Sequence, residues 1–264
     1  MRTALILGPG ALSGGYGAGV ASVLGRNIHF DKIYGCSVGV FAATFLATRQ
    51  FDIMLNIWRN HVHGNLLINF RNPFRRRNIL DLEYLNGLFK REEFLLNVEL
   101  VSGQYGRLVH VLTHYLSGKP EYFLPTGDNI FDSMSASSAV PYLHPRVRIN
   151  QNLFYDGAIS DPTPLQRALS DGNEKVVIVS NLAESHDFRP VTRLSRIAIL
   201  SAHKSQEAIQ MVESRSRDNP NIILLRPATQ ILKGFIDTDK KRINQTIDLG
   251  IRDAELFLKT PQAL

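Results

Sequence analysis

Before Thr48 the chain runs twice through one pattern: a short apolar run, a glycine-bearing turn, then a segment of helical length. Thr3-Ala4-Leu5-Ile6-Leu7 stops at Gly8-Pro9-Gly10, and residues 14–24 follow, rich in small residues and free of proline. Lys32-Ile33-Tyr34 stops at Gly35, and the apolar stretch from Ser37 to Thr48 follows. A continuous apolar run bounded by glycine is how a strand buried on both faces reads. Strand–helix–strand–helix order of this kind predicts an α/β fold around a mainly parallel sheet. Gly25 is placed to end the first helix as a C-cap.

Further along, residues 52–59 and 80–94 predict helices, separated by the loop Phe70-Arg71-Asn72-Pro73-Phe74-Arg75-Arg76-Arg77. Residues 108–116 alternate as a strand, and Ser117-Gly118-Lys119-Pro120 predicts a turn into a second strand at 121–124. Apolar strands are expected at 175–179 and 222–225, and amphipathic helices at 202–215 and 241–258, the last with Ile243, Ile247, Ile251 and Leu256 on one side. No Pro/Gly/Ser-rich linker divides the 264 residues, so one domain over 1–264 is expected.

The longest apolar run, residues 38–47, falls well short of the roughly 20 residues a membrane-spanning helix needs. Met1-Arg2-Thr3 leads straight into the first strand, so no cleaved signal is expected. Cys36 is the sole cysteine, which excludes an intrachain disulfide and suits a reducing compartment. The location expected is cytoplasmic, with peripheral contact to a membrane, or export without a cleaved signal, left open. A net charge of +6 favours anionic partners. Nothing in the chain resembles a nucleic-acid reader module, so nucleic acid is not expected among them.

Chemistry concentrates in three places. Gly35-Cys36-Ser37-Val38-Gly39 lies between a predicted strand and a predicted helix. A serine becomes a nucleophile only when its oxygen is exposed, aimed and set beside a base. A tight strand-to-helix turn does the aiming, and small flanking residues let the backbone bend that sharply. The plainer reading is a βα turn whose serine caps the helix. Cys36 stands beside the centre of this motif and reads as a small buried hydrophobe. The first turn, Gly8-Pro9-Gly10-Ala11-Leu12-Ser13-Gly14-Gly15, has the composition of a loop that offers backbone N–H groups to an oxyanion. It also has part of a dinucleotide-binding outline, with Asp31 downstream, but Ser13 takes the place of the third glycine. Finally, Phe154-Tyr155-Asp156-Gly157-Ala158 ends a short apolar run in an aspartate followed by two small residues, at what would be a sheet edge. Alone, that aspartate is equally a turn residue, as is Asp161 before Pro162.

Taken together, these motifs resemble the patatin-like phospholipase family: a glycine-rich loop after the first strand, a Gly-x-Ser-x-Gly elbow, and a late Asp-Gly-Gly or Asp-Gly-Ala. Ser135-Ala136-Ser137-Ser138-Ala139-Val140-Pro141 and Asp161-Pro162-Thr163-Pro164-Leu165 also look like that family, so the likeness runs from about residue 3 to about residue 180. The resemblance implies a three-layer α/β/α fold and a Ser–Asp dyad without histidine, metal or organic cofactor. It makes Ser37 the nucleophile, Asp156 its proton acceptor, and the N–H groups of Gly10 and Ala11 the oxyanion hole. Its substrate class is a lipid or lysophospholipid ester, cleaved through an acyl-Ser37 intermediate. The helical stretch from 50 to 100 is then expected to form an acyl-chain pocket or lid. The family loop usually reads Gly-Gly-Gly-x-Arg-Gly, whereas here Pro9 has no N–H and Ser13 stands at the arginine position. That departure keeps open a catalytically weak, lipid-binding protein.

An α/β-hydrolase triad is the alternative enzyme, with His186 or His203 as the base, since these are the histidines after Asp156. It expects several strands before the elbow, and here one βα unit and a strand precede it. His110 and His114 have the i, i+4 spacing of a metal pair but fall on a predicted strand; they read as structural, as do His61 and His63. Arg71, Arg75, Arg76 and Arg77, with Phe70 and Phe74 among them, read either as a solvated loop or as a contact with an anionic membrane.

Overall fold

The computed structural model of the protein describes residues 1–183, 196–234 and 236–263, with residues 196–202 as backbone only. Among the described residues eight strands form one sheet: β1 (Thr3–Leu7), β2 (Lys32–Cys36), β3 (Leu108–His114), β4 (Pro120–Phe123), β5 (Val147–Ile149), β6 (Asn152–Asp156), β7 (Lys175–Val179) and β8 (Ile222–Leu225). Five of them, in the order β3-β2-β1-β7-β8, are parallel. The helices are α1 (Gly14–Asn27), α2 (Gly39–Ala47), α3 (Phe51–His61), α4 (Leu82–Leu88), α5 (Val98–Gly103), α6 (Ile130–Ser137), α7 (Leu165–Ser170), α8 (Arg196–Asp218) and α9 (Lys240–Phe257).

Because side chains alternate across a strand, the central strands feed two separate apolar layers. Leu5, Leu7, Ile33, Val177 and Val179 pack with α1, α2, α3 and α9. Ala4, Ile6, Tyr34, Val176 and Ile178 pack with α7 and α8. The result is a sheet between two helical layers, the α/β/α architecture expected. Glycines set the closest helix contact. A Cβ on Gly19 would lie 2.3 Å from the Ile247 carbonyl oxygen, and one on Gly250 would lie 2.2 Å from that of Tyr16, so α1 and α9 cross with backbones touching.

The registers on β3 position the site. Its residues 110 and 111 pair with both β2 and β4, which puts those strands on opposite edges. Residues 112 and 113 pair with both β4 and β6, so β6 shares the β2 edge. Cys36 is opposite Val111, and Asp156 is opposite the next residue, Leu112. β2 runs parallel to β3 and β6 antiparallel, so their C-terminal ends meet head to head.

Several expectations are corrected. Gly25 does not end α1, which continues to Asn27 with Ile28 as its cap. It is buried where a Cβ would lie 2.5 Å from the Phe51 ring, so it serves close packing. The helix expected over 80–94 is the shorter α4, capped by Asp81 accepting from the Tyr84 amide, followed by a turn of 3-10 helix at Glu92–Phe94. The Arg71–Arg77 loop contains its own 3-10 turn, Asn72–Arg75. Asp31 precedes β2 and accepts from the Thr3 amide at 2.8 Å. That is the N-terminal edge of the sheet, the wrong end for a dinucleotide ribose beside Gly8 and Gly10.

Candidate active site

Ser37 follows β2 immediately and stands at φ 54°, a left-handed conformation that a non-glycine residue adopts only at a cost. Its neighbours enforce it. A Cβ on Gly39 would lie 2.1 Å from the Leu7 carbonyl oxygen, and one on Gly35 would lie 2.6 Å from Val40 Cα. The turn therefore packs against the end of β1 and the start of α2, and the serine is pushed out of the strand line. The Ser37 amide donates to Ser137 Oγ (3.0 Å), which itself donates to the Val111 carbonyl (2.7 Å). The backbone of the elbow is thus tied to β3 through α6.

The Ser37 hydroxyl donates to Asp156 Oδ2 at 2.7 Å. The other carboxylate oxygen, Oδ1, accepts from the Ala158 amide at 2.8 Å, which fixes the plane of the carboxylate. Gly157 makes the approach: a Cβ there would lie 2.1 Å from the Val111 carbonyl oxygen. Asp156 is buried, and desolvation pushes its pKa up to about 6, against the lowering effect of the Ser37 and Ala158 hydrogen bonds. A carboxylate so poised exchanges a proton near neutral pH.

The first loop lies beside this pair. Gly10 (φ 160°) and Ala11 (φ 48°) open a 3-10 turn through Ser13, and among the described residues neither amide has a hydrogen-bond partner. Asn181, just beyond β7, holds the loop. Its Nδ2 donates to the Gly8 carbonyl (2.8 Å) and the Pro9 carbonyl (3.3 Å), while its Oδ1 accepts from the Gly17 amide (2.8 Å). A Cβ on Gly10 would lie 2.5 Å from that of Asn181. Ser13 Oγ, at the position where the family carries arginine, accepts from Gln230 Nε2 at 2.9 Å.

Ser37, Asp156, Gly10, Ala11 and Ala158 all line one cavity of about 180 Å³. Its remaining wall is largely apolar, with Phe41 and Phe45 of α2, Trp58 of α3, Leu82 and Leu85 of α4, and Phe89 just beyond it prominent. Residues of the 50–100 stretch, from Met54 to Phe89, contribute to this wall beside α2. Among the described residues no histidine lines the cavity. His203 is exposed on α8, and His186 lies outside the described residues. Cys36 is buried, its thiol pushed well above its usual pKa by burial and by Asp156 and Asp161. His110 bridges Thr44 and Ser133 and is held neutral by burial, its pKa down to about 3. Among the described residues no cluster of His, Cys, Asp and Glu is placed to hold a metal. Arg71, Arg75, Arg76 and Arg77 are exposed and lie outside the cavity lining.

Sequence reasoning missed Ser137, Asn181 and Gln230. Ser137 lay in a stretch already singled out, and Asn181 follows an apolar strand adjacent to β1, where side chains reach the C-terminal edge of the sheet.

The sequence model of the patatin-like phospholipase family matches residues 5–169. The chain belongs to this family. Its members are, at family level, lipid acyl hydrolases, with lipids as substrates. The patatin-like fold agrees with a crystal structure of VipD from Legionella pneumophila, which this chain matches with a TM-score of 0.52 at 14% identity, over 97% of this chain and 66% of that one. The chain therefore spans about two thirds of VipD as crystallised, and the likeness speaks to fold alone. The Escherichia coli K12 protein YjjU, described as uncharacterized, is 33% identical over 72 residues, which is 27% of this chain and 20% of that protein. Among the described residues no helix is long and apolar enough to cross a membrane.

Proposed function

We propose that the protein hydrolyses a carboxylic ester of a phospholipid or lysophospholipid through a Ser37–Asp156 dyad and a covalent acyl-Ser37 intermediate. The observation that carries this reading is the 2.7 Å hydrogen bond from Ser37 Oγ to Asp156 Oδ2 at the wall of a mostly apolar cavity. Asp156 takes the hydroxyl proton as Ser37 Oγ attacks the ester carbonyl, and the oxyanion forms against the Gly10 and Ala11 amides. The proton passes to the leaving alcohol oxygen as the ester C–O bond breaks. Water then attacks the acyl-Ser37 carbonyl, gives a proton to Asp156, and the fatty acid departs as Ser37 regains its hydrogen.

The acyl chain occupies the apolar wall of α2, α3 and α4. Pro9 cannot donate, and that favours the reading of a lipid-binding protein with little turnover. The two unpartnered amides of Gly10 and Ala11 at the cavity wall favour turnover. A fluorophosphonate probe separates the two, because it reacts only with an activated serine. Labelling mapped to Ser37 supports the dyad. A protein that binds fatty acid yet resists the probe is the lipid-binding protein instead.

A further inference from the structure

The segment that carries the basic cluster rises from the wall of the cavity. Ile68 and Leu80 both line the cavity and bridge to each other, closing residues 69–79 into a protruding loop. The loop is pinned, not slack. Its buried Asn72 donates from Nδ2 to the Asn78 carbonyl (2.9 Å) and to Asp81 Oδ2 (3.3 Å), and the Arg77 amide returns to the Asn72 carbonyl (3.0 Å). At its tip Phe74 is 91% exposed, and Phe70 is 54% exposed. Two large apolar side chains are thus held in water on one braced loop, and Phe74 packs little against the rest of the protein.

The neighbouring rim has the same character. The Leu80 amide donates to the Leu143 carbonyl (2.9 Å), and Tyr142, between cavity-lining Pro141 and Leu143, is 66% exposed. Ile236 lines the cavity and is itself 48% exposed, so it marks where the cavity meets solvent. Charge completes the pattern. Residues 69–80 hold four arginines and no acidic residue. Arg77 pairs with Asp81 at 2.6 Å, whereas among the described residues Arg71, Arg75 and Arg76 have no carboxylate partner.

We propose that this rim docks on an anionic lipid bilayer. Phe70 and Phe74 enter the interface, Arg71, Arg75 and Arg76 meet headgroup phosphates, and the cavity mouth beside Ile236 faces the lipid. Aromatic side chains flanked by basic ones suit the headgroup boundary, where apolar burial and attraction to anionic lipid act together. An acidic protein would satisfy the arginines, but it would not bury Phe74 among acyl chains.

The experiment uses the full chain carrying Ser37→Ala, so that no lipid is consumed and the result is independent of the dyad. Sedimentation with vesicles of phosphatidylcholine alone is compared with vesicles containing phosphatidylserine. Preference for the anionic vesicles is expected. The combined Arg71→Gln, Arg75→Gln and Arg76→Gln variant should bind them about 100-fold more weakly at low salt, with a smaller loss at high salt. Phe74→Ala should cost about tenfold at either salt. In a Phe74→Trp variant, bromine on the acyl chains should quench fluorescence beyond the signal of Trp58. These side chains are exposed, so unchanged thermal unfolding is the control for fold. Equal binding to both vesicle types, undiminished binding by the triple variant, or no quenching at position 74 would overturn the proposal.

Discussion

Ser37 and Asp156 lie 119 residues apart and share a 2.7 Å hydrogen bond because the strands that end at them meet on one edge of β3. Cys36 is opposite Val111 and Asp156 opposite Leu112, so consecutive residues of a third strand set the spacing of the pair. Each is also held from outside the pair, Ser37 through its amide by the Ser137 hydroxyl and Asp156 by the Ala158 amide, which is what a preorganised proton acceptor requires.

That arrangement makes Gly157 the sensitive point. Gly157→Ala places a methyl against the Val111 carbonyl oxygen, a contact that only backbone movement can relieve. Overpacking of this kind costs about 1–3 kcal/mol, and a shift of an ångström at Asp156 costs about a hundredfold in rate. Denaturant midpoints and turnover of a soluble short-chain ester measure both. A variant with wild-type stability and rate would mean that the register on β3 does not position the pair.

Ser37→Ala should abolish ester turnover and fluorophosphonate labelling while costing about 1–3 kcal/mol of stability, since it leaves the buried Asp156 Oδ2 without its donor. Loss of that donor also removes a contact that lowers the Asp156 pKa, so the carboxyl of this variant should titrate above about 6. Carbon-detected NMR of the side-chain carboxyl reads this directly. Retained turnover would move the nucleophile elsewhere.

The loop depends on a residue outside it. Asn181→Ala deletes both the Nδ2 donor to the Gly8 and Pro9 carbonyls and the Oδ1 acceptor of the Gly17 amide. If the Gly10 and Ala11 amides hold the oxyanion, kcat should fall about 10- to 100-fold, with KM little changed, because the transition state loses alignment that the ground state does not use. An unaltered kcat would mean that the oxyanion is met by other donors.

Much of this was legible in the sequence, and the illegible part has a common cause. β1, β2 and β7 are buried on both faces, so they appear as apolar runs, and the glycines next to the ends of the first two, Gly8 and Gly35, mark the two turns of the site. Ser37 could be read because the elbow is a local device. The roles of Asn181 and Ser137 could not, because their partners lie 164 and 100 residues away. Gly25 was misread for the same reason, since only the folded chain brings Phe51 against it. α5, α6 and α7 run to six or eight residues, too short for a helical period to stand out.

The base is tested by substitution at Asp156 and on α8. Asp156→Asn should lower turnover by about 10²–10⁴, the usual contribution of a general base, while His203→Ala, on an exposed position of α8, should stay within twofold of wild type. Collapse of the histidine variant would replace the dyad with a triad.

The pH dependence joins the two roles of Asp156 with opposite signs. Its folded pKa, about 6, lies above the ordinary carboxylate value of 3.8, so folding favours the protonated form. The corresponding stability is fully present below about pH 4 and is lost as pH rises through about 6, amounting to about 3 kcal/mol by pH 7. Activity runs the other way, because only the ionised carboxylate accepts the Ser37 proton. kcat/KM for a soluble ester should therefore climb about tenfold per pH unit up to about 6 and then level off. Other carboxylates titrate nearby, with Asp161 raised and Asp171 and Asp237 lowered, so the stability of wild type should be compared with that of Asp156→Asn at each pH. Asparagine cannot ionise, and the variant should gain on wild type across that window. A difference that stays flat from pH 4 to pH 8 would show that Asp156 is not held in a state where ionisation is costly, and the limb in kcat/KM would then have to come from another group.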